Sequence, residues 1–206
     1  MTPPVIPPDA LVLLDYFGIG VFAISGALVA AERRLDFVTF IFFAVATGVG
    51  GGTIRDLLIG APVFWVNKNA TLLICIGAAF ATWMVPTRWI TGRALLWFDA
   101  AGMAAYAVYG ASKALDHGVA PVPAFVMGVL TACAGGIIRD VIGGEPTILL
   151  RRELYITPAA LAAGLFSLLV VAGLAGPVAA TVAVVAGFVL RGLAITRRLS
   201  LPTYSR

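Results

Sequence analysis

Moved 84 positions along itself, the chain matches its own scarce polar and glycine residues without a gap. Asp15 falls on Asp99, Gly18 on Gly102, Gly26 on Gly110, Ala27 on Ala111 and Thr47 on Thr131. Gly51-Gly52 meets Gly135-Gly136, and Ile54-Arg55-Asp56 meets Ile138-Arg139-Asp140. Gly60 meets Gly144 and Pro62 meets Pro146. A shared apolar composition would align valines and leucines, not these positions. Self-similarity at one fixed offset means one structural unit used twice.

The unit belongs in a bilayer. Of 206 residues, 61% are hydrophobic and 12% charged, and mean hydropathy is +1.01. A soluble domain carries about 25% charged residues. A membrane helix needs roughly 20 apolar residues. Seven segments approach that length, at about Ala10–Ala31, Phe37–Leu58, Ala70–Val85, Ala94–Leu115, Val119–Ile142, Ile156–Leu174 and Val178–Ile195. Lipid satisfies no open backbone groups, so each is expected to be a helix. The third is short, and the second and fifth are interrupted. The expected class is therefore an all-α membrane protein forming one transmembrane domain over residues 1–206. Repeat 1 covers about 10–88, repeat 2 about 94–174, helix 7 about 178–195 and the tail 196–206. The Pro-rich start, residues 1–10, has no Lys or Arg and so no signal-peptide n-region, which leaves the first span in place.

Basic residues sort the loops. Arg33, Arg34, Arg88, Arg93, Arg151, Arg152, Arg197, Arg198 and Arg206 fall on one side, and Lys68 and Lys113 on the other. The positive-inside rule puts the arginine-rich side in the cytoplasm, with the N-terminus outside and the C-terminus inside. Each repeat contains three spans. Three is odd, so the second copy enters the membrane upside down. Inverted repeats of this kind are typical of transport proteins, with the pathway at the repeat interface.

The charges inside the spans are the candidate site. Thr47-Gly48-Val49-Gly50-Gly51-Gly52-Thr53 follows an apolar run from Phe37. At 1.5 Å per residue Gly50 lies about 20 Å into the membrane. Consecutive glycines disfavour helix by up to about 1 kcal/mol each. They suit either an unwound turn whose freed carbonyls, with Thr53, line a path, or close packing of helices on small residues. Arg55 and Arg139 either face protein or a water-filled cavity, because a charge deep in a span costs about 2.5–3.5 kcal/mol on insertion scales, or lie near the interface and snorkel. Neighbouring residues on a helix diverge by about 100°, so Arg55 and Arg139 are expected to pair across the repeat interface or to cap carbonyls rather than to bind Asp56 and Asp140. Asp15 and Asp99 either attract cations to the two mouths, partner the arginines, or stabilise helix N-termini.

Other classes find little support. The basic residues form no stripe and no aromatic platform, so no nucleic acid partner is expected. Cys75, Cys133 and His117 make no metal cluster, and no nucleotide loop or hydrolase elbow is present, so neither a metal, a catalytic residue nor a cofactor is expected. The tryptophans 65, 83, 89 and 97 sit near span ends and suit interfacial anchoring.

Gly50-Gly51-Gly52-Thr53-Ile54-Arg55-Asp56 and Gly135-Gly136-Ile137-Ile138-Arg139-Asp140 resemble the motifs of the prokaryotic trimeric intracellular cation (TRIC) channels, a family that has also been labelled putative glycine transporter. The resemblance covers nearly the whole chain. It implies a homotrimer in the prokaryotic inner membrane. Each subunit then has its own path for monovalent cations, with K⁺ as the permeant ion. Helices 2 and 5, kinked at Gly50, Gly51, Gly52 and at Gly135, Gly136, would line that path, near Thr131. The second motif departs from the first: Ala134 stands at the place of Gly50, and Ile137 at that of Thr53. Animal relatives carry a Lys at the glycine motif that engages phosphoinositide, where this chain has Val49 and Cys133. The alternative is a secondary transporter of a small solute such as glycine, with Arg55 or Arg139 holding its carboxylate.

Overall fold

Seven α-helices carry the chain in the computed structural model, which describes residues 5–86, 92–150 and 153–202. They are α1 (Pro8–Glu32), α2 (Phe37–Leu58), α3 (Asn69–Met84), α4 (Gly92–Asp116), α5 (Pro121–Ile142), α6 (Ile156–Val171) and α7 (Gly176–Arg197). Each matches a segment expected from hydropathy. Four of them, α1, α2, α5 and α7, are long and apolar enough to cross a membrane. The helices α3 and α6 have 16 residues each, about 24 Å of rise. Arg88, Trp89, Arg151, Arg152 and Arg206 lie outside the described residues.

Local chemistry sets the helix ends. Proline opens α1, α5 and α7, where a missing N–H costs nothing. The Asp36 carboxylate caps α2, accepting from the Thr39 hydroxyl at 2.7 Å and its backbone N–H at 3.0 Å. Those bonds hold the Asp36 carboxyl below the usual carboxylate range. After α2 and α5 the chain turns through Gly60 (φ 68°) and Gly144 (φ 65°), left-handed positions that glycine adopts without strain.

One expectation is overturned. The second and fifth spans are not broken at their glycines: α2 runs as a single α-helix through residues 48–52, and α5 through 135 and 136. The glycines stand where another backbone presses on the helix. A β-carbon at Gly51 would collide with the Thr131 carbonyl oxygen, and one at Gly135 would lie 2.7 Å from that of Thr47. Close packing outweighs the weak helix propensity of glycine. Because no turn unwinds, no carbonyl is freed there.

In packing, α1 lies against α2, α3 and α4, while α4 lies against α5, α6 and α7, and α2 crosses α5. The contacts recur at the offset of the sequence repeat. Tyr106 fits over Gly18, and Phe22 fits over Gly102. The Thr47 hydroxyl abuts Gly26, and that of Thr131 abuts Gly110, each 2.5 Å from an added β-carbon. The seventh helix lies on α4 and α6, against the second unit. Large apolar side chains such as Leu13, Val38, Leu57, Leu73, Val122 and Leu168 face outward, as lipid contact requires. The Trp65 indole donates to the Thr53 hydroxyl at 2.9 Å.

Candidate functional site

The α2–α5 crossing organises the charged residues. Gly51 lies on Thr131 and Thr47 on Gly135, a pairing whose numbers run in opposite directions. The two helices are therefore antiparallel, and their Arg-Asp ends point away from each other. Arg55 lies four residues beyond Gly51, Arg139 four beyond Gly135, and four more separate Thr47 from Gly51. At 1.5 Å per residue the two arginines are about 18 Å apart along the helices.

Beyond the crossing on the α2 side, Arg55 is fully buried. Its Nε and Nη2 donate to Asp56 Oδ1 at 2.9 and 2.7 Å. Adjacent residues do pair, contrary to expectation. The guanidinium also faces the Tyr109 ring at 4.8 Å. Lys113 donates to both Asp56 oxygens, at 2.8 and 3.0 Å. The Phe64 backbone N–H closes the cluster on Asp56 Oδ2 at 3.0 Å. Asp15 is buried nearby with Tyr106 Oη at 3.4 Å. It does not hydrogen-bond Arg55.

Beyond the crossing on the α5 side the same frame recurs. Arg139 Nε and Nη2 donate to Asp140 Oδ1 at 2.9 and 2.8 Å, and the Ile148 N–H donates to Asp140 Oδ2 at 2.8 Å. Here Asp99 takes part, accepting from Arg139 Nη1 at 2.7 Å, with Ser25 Oγ at 3.2 Å from the same nitrogen. Asp99 thus hydrogen-bonds its arginine, whereas Asp15 acts on Arg55 only through its charge.

The remaining candidates divide. Gly51, Gly52, Gly135, Gly136 and Thr131 are buried at or beside the crossing, and Gly50 abuts Ile138. Gly52 holds the Phe64 ring, 2.6 Å from an added β-carbon. Gly136 holds the Tyr155 hydroxyl at the same spacing, with Asp99 Oδ1 at 3.0 Å. Thr53 points elsewhere. Its hydroxyl donates to the Val49 carbonyl at 2.7 Å and accepts from Trp65. Buried polar atoms lack partners among the described residues at both ends: Arg55 Nη1 on one side, Asp99 Oδ2 and Tyr155 Oη on the other. A dry bilayer would penalise each, and water or a hydrated ion would satisfy them.

Sequence reading missed three groups. Lys113 falls within the expected fourth span but counts there only toward the charge of the outer side; it lies one turn inside α4 and binds Asp56. Tyr155 sits in the short link before α6. Arg191 interrupts an apolar span in α7, which is the signal that would have found it.

The family model described as glycine transporter matches this chain twice, over residues 12–87 and 96–171, again at the repeat offset. A crystallised TRIC trimeric intracellular cation channel orthologue from Rhodobacter sphaeroides is 43% identical, with a TM-score of 0.86 over 93% of this chain and 100% of its own. A UPF0126 membrane protein of Vibrio cholerae is 37% identical over 202 residues, which are 95% of this chain and 83% of that protein. The UPF0126 inner membrane protein YadS of Escherichia coli is 34% identical over 207 residues, 93% of this chain and 95% of that protein.

Proposed function

Because the chain belongs to the prokaryotic TRIC channel family, the family whose sequence model carries the description glycine transporter, we propose that it is a monovalent cation channel conducting chiefly K⁺ across the bacterial inner membrane. The carrying observation is the matched pair of buried Arg-Asp clusters at the two ends of one antiparallel helix crossing. Each subunit of a homotrimer has its own path, running beside α2 and α5 from one cluster to the other. The repeats are inverted, with the Arg55 cluster toward the outside and the Arg139 cluster toward the cytoplasm. In the reading we favour, the backbones touching at Gly51–Thr131 and Thr47–Gly135 are the constriction. Conduction requires α2 and α5 to separate there, after which carbonyls and the Thr47 hydroxyl face the ion.

The transporter alternative loses its proposed carboxylate ligand at Arg139, whose three guanidinium nitrogens are all bonded within the protein. In planar bilayers the purified protein should give unitary K⁺ currents. Silence from confirmed trimers, together with uphill uptake of labelled glycine into proteoliposomes, would reject the channel.

A further inference from the structure

Among the described residues three arginines are fully buried within helices: Arg55, Arg139 and Arg191. In the first two, the Nε–Nη2 edge of the guanidinium is closed by the carboxylate of the next residue, at 2.7–2.9 Å. Arg191 is followed by Gly192. Its Nη1 donates to the Leu154 carbonyl at 2.7 Å and lies 3.4 Å from Glu153 Oε2. Its Nε and Nη2 have no partner among the described residues. The Tyr155 ring covers the guanidinium at 5.3 Å, which fixes its plane without satisfying an N–H. A buried cation with two unmet donors is costly, and charge-assisted bonds to an oxyanion are the strong remedy. The same molecule applies that remedy twice with Asp56 and Asp140.

We propose that the Nε–Nη2 edge of Arg191 is a binding site for one oxyanion supplied from outside the chain, a carboxylate or phosphate oxygen. Arg191 lies six residues before the end of α7, about 9 Å of helix. That depth admits either a small soluble anion or the headgroup of an acidic lipid. Tyr155 joins this edge to the Arg139 cluster, since its hydroxyl sits over Gly136 beside Asp99, but the proposal rests on the unmet donors alone and stands whether or not the channel reading does.

The test reconstitutes the full-length protein in phosphatidylcholine nanodiscs and follows thermal unfolding. Acetate or inorganic phosphate is titrated against chloride at constant ionic strength, and parallel nanodiscs contain phosphatidylglycerol. The expected result is a saturable rise in midpoint with the soluble anions, or a rise only in the acidic nanodiscs, which assigns the source to lipid. Arg191→Lys keeps the charge but loses the planar edge, and should abolish the response. Gly192→Asp supplies the carboxylate in the place it has after Arg55 and Arg139. It should raise the midpoint and remove the dependence, with Trp97→Leu added to relieve the indole that lies 3.1 Å from a β-carbon there. A wild-type midpoint indifferent to both anions and to acidic lipid overturns the proposal, as does an undiminished response in Arg191→Lys.

Discussion

The two charged clusters share a frame but complete it with side chains of opposite charge. Each has an arginine bound to the aspartate that follows it, and that aspartate accepts a backbone N–H eight residues on. The third member differs. Asp56 also holds Lys113, so two cations share one carboxylate. Arg139 also holds Asp99, so two carboxylates share one cation. The repeat explains why. The position equivalent to Lys113 is Val29, which packs against Gly143, and Asp15, the equivalent of Asp99, stays with Tyr106. Duplication therefore built a common scaffold at two ends and left the sign of the charge free to diverge.

The largest expected effect tests the frame itself. Gly51→Leu and Gly135→Leu each drive a side chain into the opposing backbone at the crossing. Overpacking a tight site costs about 1–3 kcal/mol or more, and a backbone neighbour cannot move aside. Both variants should lose flux and yield little assembled protein by size-exclusion chromatography. Gly50→Ala meets only the tip of Ile138 and should assemble. A well-assembled, conducting Gly51→Leu would show that the crossing is not where the two units depend on each other.

Next comes the asymmetry of the clusters. Asp56→Asn leaves Arg55 and Lys113 buried together without a carboxylate, and breaking a buried pair in this way costs about 3–5 kcal/mol. Asp140→Asn leaves Arg139 still neutralised by Asp99 and should cost clearly less. Thermal midpoints of the two variants in one detergent or nanodisc decide the matter. Equal losses would show that Lys113 and Asp99 contribute nothing to the difference.

Much of this was legible in sequence, and the parts that were not share one cause. The helices, the repeat and the buried arginines follow from hydropathy and from the rarity of charge in a membrane span. Asp99 as partner of Arg139 is one of the roles the sequence leaves open to it. The intact helices at the glycines, the pairing of adjacent Arg and Asp, and the entry of Lys113 were not seen. Each depends on what lies opposite a residue in space. Glycine propensity points to a break when read along one chain, but Thr131 and Thr47 pressing on Gly51 and Gly135 make the same residue a contact surface. The 100° rule treats side chains as rods, while arginine is long enough to fold back over its neighbour.

A smaller effect bears directly on function. Lys113→Met removes the cation from the Asp56 cluster and leaves the Arg55–Asp56 pair in place. Two charges about 4 Å apart interact by about 1 kcal/mol even in bulk water, and more in a low-dielectric interior. If the path passes this cluster, K⁺ conductance should rise several-fold with a change in rectification, while the thermal midpoint shifts little. Unchanged single-channel current would place the path elsewhere.

The smallest effect separates scaffold from path within one motif. Thr53 has a hydroxyl where its counterpart Ile137 has none, so the second unit does without it. That hydroxyl is already committed to the Val49 carbonyl and the Trp65 indole. Thr53→Val should therefore cost about 1 kcal/mol, the usual worth of such hydrogen bonds. It should free the Trp65 indole, shifting its fluorescence, and leave K⁺ conductance unaltered. A fall in conductance with stability preserved would return Thr53 to the ion path and make the difference between the two motifs functional, where the structure makes it a matter of holding one loop.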